Sequence, residues 1–321
     1  MAGTAMTLSY LTDLQKTDYV REGLPVAKPK LIYSQYAVKD RVAKREGKTR
    51  QWFRMTKPGL TSRSGDFSTT TYQYVKNTTG ASPTWTPAEA SDTTVTATAD
   101  FLFGQGHEWN EGLEYMSFAD IPKELRKLNF MHAGEAIDTE VRDMAVAGTN
   151  VAYANARSTR PNLLSTDTVD MNDFFTAATT LRNADTPEIS GMYSAMCSAN
   201  VIQALMQDTA FQSAIQFQKP YIFTGTIAEL FGIRFNWTSR AATTSSGGSA
   251  SQISTVEQTI ITGDNAYGKT AWMLDDFDIV YTGPGGWGDE WATRHAMTWK
   301  YVFKSVILNQ SWLVRLESAR A

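Results

Sequence analysis

The 321-residue chain contains one cysteine, Cys197, only three histidines (His107, His132, His295) and no apolar run approaching a membrane span. One cysteine makes no intrachain disulfide and no thiolate zinc cage, so packing must hold the fold and a reducing compartment is expected. Three histidines leave little general acid–base or metal chemistry to assign. A span needs about 18 or more apolar residues in a row, and no basic, apolar, small-residue leader opens the chain, so neither membrane insertion nor export is expected. The sequons at Asn77, Asn236 and Asn309 then read as chance matches. A Gly-x-Ser-x-Gly nucleophile elbow is also missing.

What is present is apolar mass and a hidden charge asymmetry. Apolar residues make up 42% of the chain and nine are tryptophan, enough for a folded protein of one elaborated or two compact units. Thirty Lys and Arg against 33 Asp and Glu give a net charge of −3, which excludes binding nucleic acid through a wholesale positive field. Between Lys16 and Arg63, however, 13 basic residues face 4 acidic ones, a local balance of +9, and the chain from residue 64 onward carries −11.

The first 30 residues show no sustained period, and Pro25 and Pro29 flank Lys28 and Lys30, which predicts an extended arm. Leu31, Ile32, Tyr33, Tyr36, Val38 and Val42 suggest a short amphipathic element broken at Gly47. Residues 48–116 read as an extended β-hairpin with arms at 50–56 and 93–103, the second alternating Val95, Ala97, Ala99 and Phe101 with polar residues. Its Gly/Ser/Thr-rich tip, 59–92, is far too long for a tight turn.

Asp120 as N-cap, Pro122 in the first turn and Gly148 at the end predict a helix of about 27 residues, roughly 40 Å long. Ile121, Leu125, Leu128, Ile137, Val141 and Met144 are expected to form its apolar face, with Asp138 among the charged residues opposite. Further helices are expected at 171–182 and 199–217. Strands are expected at 191–198, 233–237, 257–262, 270–274 and 277–281, and the C-terminal 30 residues contain apolar runs at 296–308 and an alternating strand carrying Trp312, Val314 and Leu316. Residues 241–254 read as a solvated Thr/Ser/Gly loop, and a Gly/Pro/Trp turn is expected at 283–288. The mixture implies an α+β protein in which the outer segments form one domain around an insert.

Gly263-Asp-Asn-Ala-Tyr-Gly268-Lys269-Thr270 satisfies the phosphate-loop pattern letter for letter. That motif works only when a helix follows, and here residues 271–281 read as strands, so a turn between strands is expected. His107, Glu108 and Glu111 sit among glycines that oppose a zinc-protease helix, while His132 and Glu135 alone make no metal site. Cys197 reads as an inert core thiol. The basic segment has three readings. Trp52 and Phe53 interleave with Arg50 and Arg54 and could stack on bases; the strand could be merely solvated; or the basic arm of one copy could lie on the acidic body of the next.

Four stretches resemble the major capsid proteins of tailed bacteriophages: residues 139–154, containing Ala-Gly-Thr-Asn-Val; 263–268; the turn from Asp278 to Gly285; and Trp299 through Glu317, containing Ile307-Leu-Asn-Gln-Ser-Trp312. The resemblance runs from about residue 5 to the end and is weakest at 56–92 and 238–255. It implies the tailed-phage major capsid fold shared with herpesviruses and encapsulins. The implied plan is an N-terminal arm (1–46), an extended β loop (47–116), a peripheral domain with a long spine helix (117–164), an axial domain (165–275) and return strands of the peripheral domain (276–321).

It also implies self-assembly into an icosahedral shell of hexamers and pentamers around double-stranded DNA contacted non-specifically. On that reading the chain is made and assembled in the bacterial cytoplasm and resides in the virion, with scaffolding, portal and decoration proteins as further partners. No catalytic residue, metal or cofactor is expected, and Lys28, Lys30, Arg41, Lys44, Arg45, Arg50, Trp52, Phe53 and Arg54 are the candidate inter-subunit contacts. The alternatives are an encapsulin-like cellular compartment and, from another class, a nucleotide-binding enzyme using residues 263–270. A sequence-specific DNA-binding module lacks a recognition helix with clustered arginines.

Overall fold

A computed structural model describes residues 31–42, 47–56, 91–98, 102–117, 120–215, 229–245, 255–271, 277–285 and 288–320. The arm before residue 31, nearly all of the hairpin tip and residues 246–254 of the solvated loop lie outside them. Three sheets organise the rest. The first has the order β1 (Val38–Arg41), β11 (Tyr267–Ala271), β13 (Arg294–Ile307), β12 (Asp278–Thr282), with β4 (Leu102–Asn110) also paired to β13. The second runs β5 (Val151–Tyr153), β14 (Leu313–Ala319), β10 (Val256–Thr262), β6 (Tyr193–Cys197), β8 (Ile233–Trp237), β7 (Glu229–Leu230), with β9 (Ala242–Thr244) also on β10. The third is a separate two-stranded ribbon, β2 (Thr49–Thr56) against β3 (Ser91–Thr98).

The long helix α2 (Ile121–Val146) forms as its caps predict, with Asp120 accepting the N–H of Lys123. Its buried stripe differs from the expected face. Asn129, Ala133, Ile137, Val141 and Ala145 are buried at four-residue spacing, whereas Leu128 is exposed and Asp138 is buried. That stripe packs over the aromatic face of β13, where Met297, Trp299, Tyr301 and Phe303 alternate inward with period two. Asn129 donates to the carbonyl of Met297 at 3.3 Å, which makes a buried amide affordable.

The second sheet is covered on both faces. Met196, Ile260 and Leu313 pack with α2, while Ala195, Cys197, Ile261, Val314 and Leu316 pack with α3 (Met171–Asn183) and α4 (Ala199–Gln207). β14 is therefore buried almost throughout rather than alternating, and Trp312 sits in the 3₁₀ turn before it. The apolar run 199–217 is not one helix. Asp208 is extended, and its carboxylate accepts from Met171 N at 2.9 Å and Ala210 N at 3.0 Å, which starts a separate α5 (Thr209–Ile215).

Strand pairing also shifts the expected segment boundaries. β10 and β11 fall inside the expected axial segment 165–275, yet β10 pairs along seven residues with the C-terminal β14, and β11 belongs to the first sheet. β4 ends the expected extended loop but pairs with β13 from Asn110 to Leu102, and α1 (Glu111–Met116) follows it. Buried strands need ladder partners on both edges, and the chain supplies them from its far end. The Thr/Ser run after residue 240, expected as loop, begins as β9 for the same reason.

Residues 263–266 form a turn between β10 and β11, with Asn265 at φ 56°. A strand follows in place of a helix N-terminus. Lys269 is 2% exposed, with its Nζ 5.8 Å from the ring centroid of Phe303. A Cβ on Gly263 would lie 2.2 Å from Thr186 Cγ2, so this glycine serves packing. The geometry that cradles phosphates is thus missing from residues 263–270.

Candidate inter-subunit surface

The β2–β3 ribbon pairs in one continuous register from Thr49↔Thr98 to Thr56↔Ser91. Because side chains alternate across a strand, Arg50, Trp52 and Arg54 share one face with Ala97, Val95 and Thr93, while Gln51, Phe53 and Met55 share the other with Thr96, Thr94 and Asp92. The first face looks toward the body. Ala97 is buried, Trp52 Cζ2 comes within 3.4 Å of where a Gly268 Cβ would stand, and the Arg54 guanidinium lies 5.7 Å from the Trp312 ring centroid. The second face looks away, leaving Phe53 72% and Met55 71% exposed.

The nine candidate contacts are thereby sorted. Phe53 is presented to solvent; Trp52 and Arg54 hold the ribbon to its own body. Arg50 pairs with Asp40 at 2.6 Å within the chain, so part of the basic excess is already matched locally. Arg41 is exposed at the end of β1. Lys28, Lys30, Lys44 and Arg45 lie outside the described residues. Met55 was not among the candidates, although its period-two relation to Phe53 is a signal that could have found it.

The arm's point of departure is anchored in the core. Asp138 on α2 accepts the backbone N–H of Ser34 at 2.8 Å and of Ile32 at 3.4 Å, and the Tyr267 hydroxyl donates to the Tyr33 carbonyl at 2.7 Å. Ile32 and Tyr33 are fully buried beside them. Burial pushes the Asp138 carboxyl above its ordinary value despite the N–H groups of Ser34 and Ile32, and pushes the Tyr33 and Tyr267 phenols well up. Sequence reasoning placed Asp138 on the wrong side of the helix; its position one residue after Ile137, at the margin of the buried stripe, was the available clue. The expected amphipathic element at 31–45 is in fact this clamp, a 3₁₀ turn at Tyr33–Gln35 and β1.

The weaker motifs resolve into structural contacts. His107 and Glu108 lie in β4, the His132 ring packs edge-on to Trp299, and Glu135 pairs with Arg240 at 2.7 Å. No group of three or more His, Cys, Asp or Glu among the described residues is placed to hold a metal ion. Cys197 is buried, with its Sγ 3.7 Å from the Asn236 carbonyl. No helix among the described residues is long and apolar enough to cross a membrane.

No family model and no curated protein matches the chain. Solved structures do. The capsid asymmetric unit of cyanophage Pam1 superposes with a TM-score of 0.70 at 11% identity, covering 99% of this chain and 100% of that one. The capsid of cyanophage P-SCSP1u gives 0.69 at 14% identity, covering 97% and 95%. The acid-stable capsid of Helicobacter pylori bacteriophage KHP30 gives 0.66 at 10%, covering 97% of each. The α+β fold is therefore that of these bacteriophage capsid structures, shared over nearly the whole chain at 10–14% sequence identity.

Proposed function

We propose that this chain is a major capsid protein that assembles with copies of itself into the icosahedral head shell of a tailed bacteriophage. The observation that carries the reading is the β2–β3 ribbon. A two-stranded ribbon is marginal in water without a surface to cover it, and this one presents Phe53 and Met55 on the face its own body does not cover. A neighbouring copy is the surface that fits. The end-to-end fold match with phage capsid subunits supports the same conclusion.

On this reading the clamp at 31–36 sends out the arm, the ribbon is the extended loop, and the first sheet with α2 is the peripheral domain. The second sheet with α3, α4 and α5 is the axial domain, closed by β10 and β14. The contacts Lys28, Lys30, Arg41, Lys44 and Arg45 supply a basic rim for a neighbour's acidic body, and Phe53 with Met55 supplies the apolar centre. Hexamers and pentamers, enclosed double-stranded DNA, assembly in the host cytoplasm and residence in the virion follow from the role. Scaffolding, portal and decoration proteins are the partners such a shell uses.

Electron microscopy of the purified full-length protein, with co-expressed scaffold where required, is expected to show closed shells. Phe53→Asp with Met55→Asp is expected to abolish shells while leaving the melting temperature within about 2 °C of the parent, since exposed substitutions cost little stability. Strictly monomeric wild-type protein under every condition, or unchanged shell yield from the double variant, would refute the reading. Shells filled with an enzyme cargo instead of DNA would favour the encapsulin-like alternative.

A further inference from the structure

A polar cleft of about 410 Å³ opens between the C-terminal turn of α2, the loop at residue 160, β9 and β14. Arg142, Arg160 and Arg315 line it together with Thr243, Thr244 and a single acid, Asp143. In a body whose charge from residue 64 onward is −11, three guanidiniums around one cleft are a local reversal of sign.

Two of the three arginines, Arg160 and Arg315, are held in place by a buried carboxylate. Glu317 is wholly buried and accepts two bonds of 2.6 Å from Arg160 and one of 3.0 Å from Gln258, and the Arg315 guanidinium forms an ion pair with it at 2.8 Å without an aligned hydrogen bond. Arg315 also donates to the Val146 carbonyl, which covers the negative end of α2 where it would otherwise face the cleft. Arg142 reaches Asp143 at 2.7 Å and the Arg240 carbonyl at 3.0 Å. Three guanidiniums thus meet two carboxylates, and Asp143 is the more exposed of the pair. Each guanidinium has five N–H donors, and these bonds use between one and three of them. One positive charge and several donors are left over, in a fixed arrangement, beside two threonine hydroxyls.

We propose that this cleft binds a tetrahedral oxyanion of the phosphate class. Guanidinium forks match phosphate oxygens in geometry and charge, and a fork already locked by a carboxylate loses little side-chain freedom on binding. The site stands on its own geometry and does not depend on the assembly reading.

The test is calorimetric titration of the full-length protein with inorganic phosphate, with chloride balancing ionic strength. Saturable binding is expected in the parent, weakened about tenfold in Arg142→Gln, which removes one charge-assisted donor. Asp143→Asn should bind more tightly, because it removes the competing acid. Both positions are outside the Glu317 cluster, so both variants are expected to fold. Displacement of the bound phosphate by duplex DNA would identify a nucleic-acid backbone as its source, and failure of displacement would identify a free anion; either supports the cleft. Absence of saturable binding, or equal affinity in all three proteins, would overturn the proposal.

Discussion

Replacing Glu317 with Gln tests whether the C-terminal strand is pinned by a single buried charge. The carboxylate is fully buried and joins β14 to Arg160, 157 residues away. Glu317→Gln keeps the shape but removes the charge that neutralises Arg160 and Arg315, and turns an amide donor toward a guanidinium. Removing one partner of a buried pair costs about 3–5 kcal/mol. Arg160 retains 29% side-chain exposure, so water recovers part of that loss and a figure of about 3 kcal/mol is expected. At about 2 °C per kcal/mol for a chain of this size, the melting temperature should fall by roughly 6 °C.

The pH dependence has a definite sign. Burial alone would raise the Glu317 carboxyl, but hydrogen bonds from Arg160 and Gln258 and the charges of Arg315 and Arg160 outweigh it and hold it below the ordinary 4.5. A depressed acid stabilises above its unfolded pKa, and the contribution is lost as pH falls through the folded value. The gap between parent and variant should therefore be full at pH 7 and shrink as pH falls from the ordinary 4.5 through the lower folded value. Thermal melts of Glu317→Gln, Arg160→Gln and the double variant at fixed scan rate complete the measurement, with coupling of at least about 1 kcal/mol expected between the two positions. A Glu317→Gln melt within about 1 °C of the parent at pH 7, or simple additivity in the cycle, would refute the reasoning.

Asp173, in the capping box of α3, should act in the opposite direction. Burial, and then the adjacent Asp170 charge, push it up to about 7 against the N–H groups of Asp170 and Asn155. Its raised value destabilises the fold as pH climbs from about 4 to about 7, so the stability difference between parent and Asp173→Asn should change across that window and be flat above it. Gly263→Ala drives a methyl to within 2.2 Å of Thr186 Cγ2 and 2.6 Å of the Pro187 carbonyl, and should cost about 1–3 kcal/mol in denaturant titration. Lys269→Ala should lower stability, with the parent showing no saturable ATP binding; tight ATP binding lost in a variant of parental stability would restore the phosphate-loop reading.

Local signals in the sequence reported local structure well. Asp120, Pro122 and Gly148 bounded α2, and the alternation around Val95 and Ala97 marked β3, because caps and period-two patterns depend on near neighbours. What the sequence hid was set by distant partners. Leu128 reads as core, yet the stripe that β13 covers runs through Asn129, Ala133 and Ile137 instead, and Asp138 reads as surface until Ile32 and Ser34 bring it their N–H groups from 106 and 104 residues away. The candidate surface was half legible. Phe53 was named from aromatic–basic interleaving, but only pairing register separates its face from that of Trp52 and Arg54.

The parallel pairing of Val38 with Gly268 sets an order of events during synthesis. β1 leaves the ribosome early, yet its ladder partner is made some 230 residues later, and β4 likewise waits for β13, which lies nearer still to the C-terminal end. A nascent chain therefore carries β1 and β4 unpaired until translation is almost complete. A truncated product has nothing to hold these elements in docking position. The fold thus makes the placement of its earliest strands depend on the synthesis of its last ones.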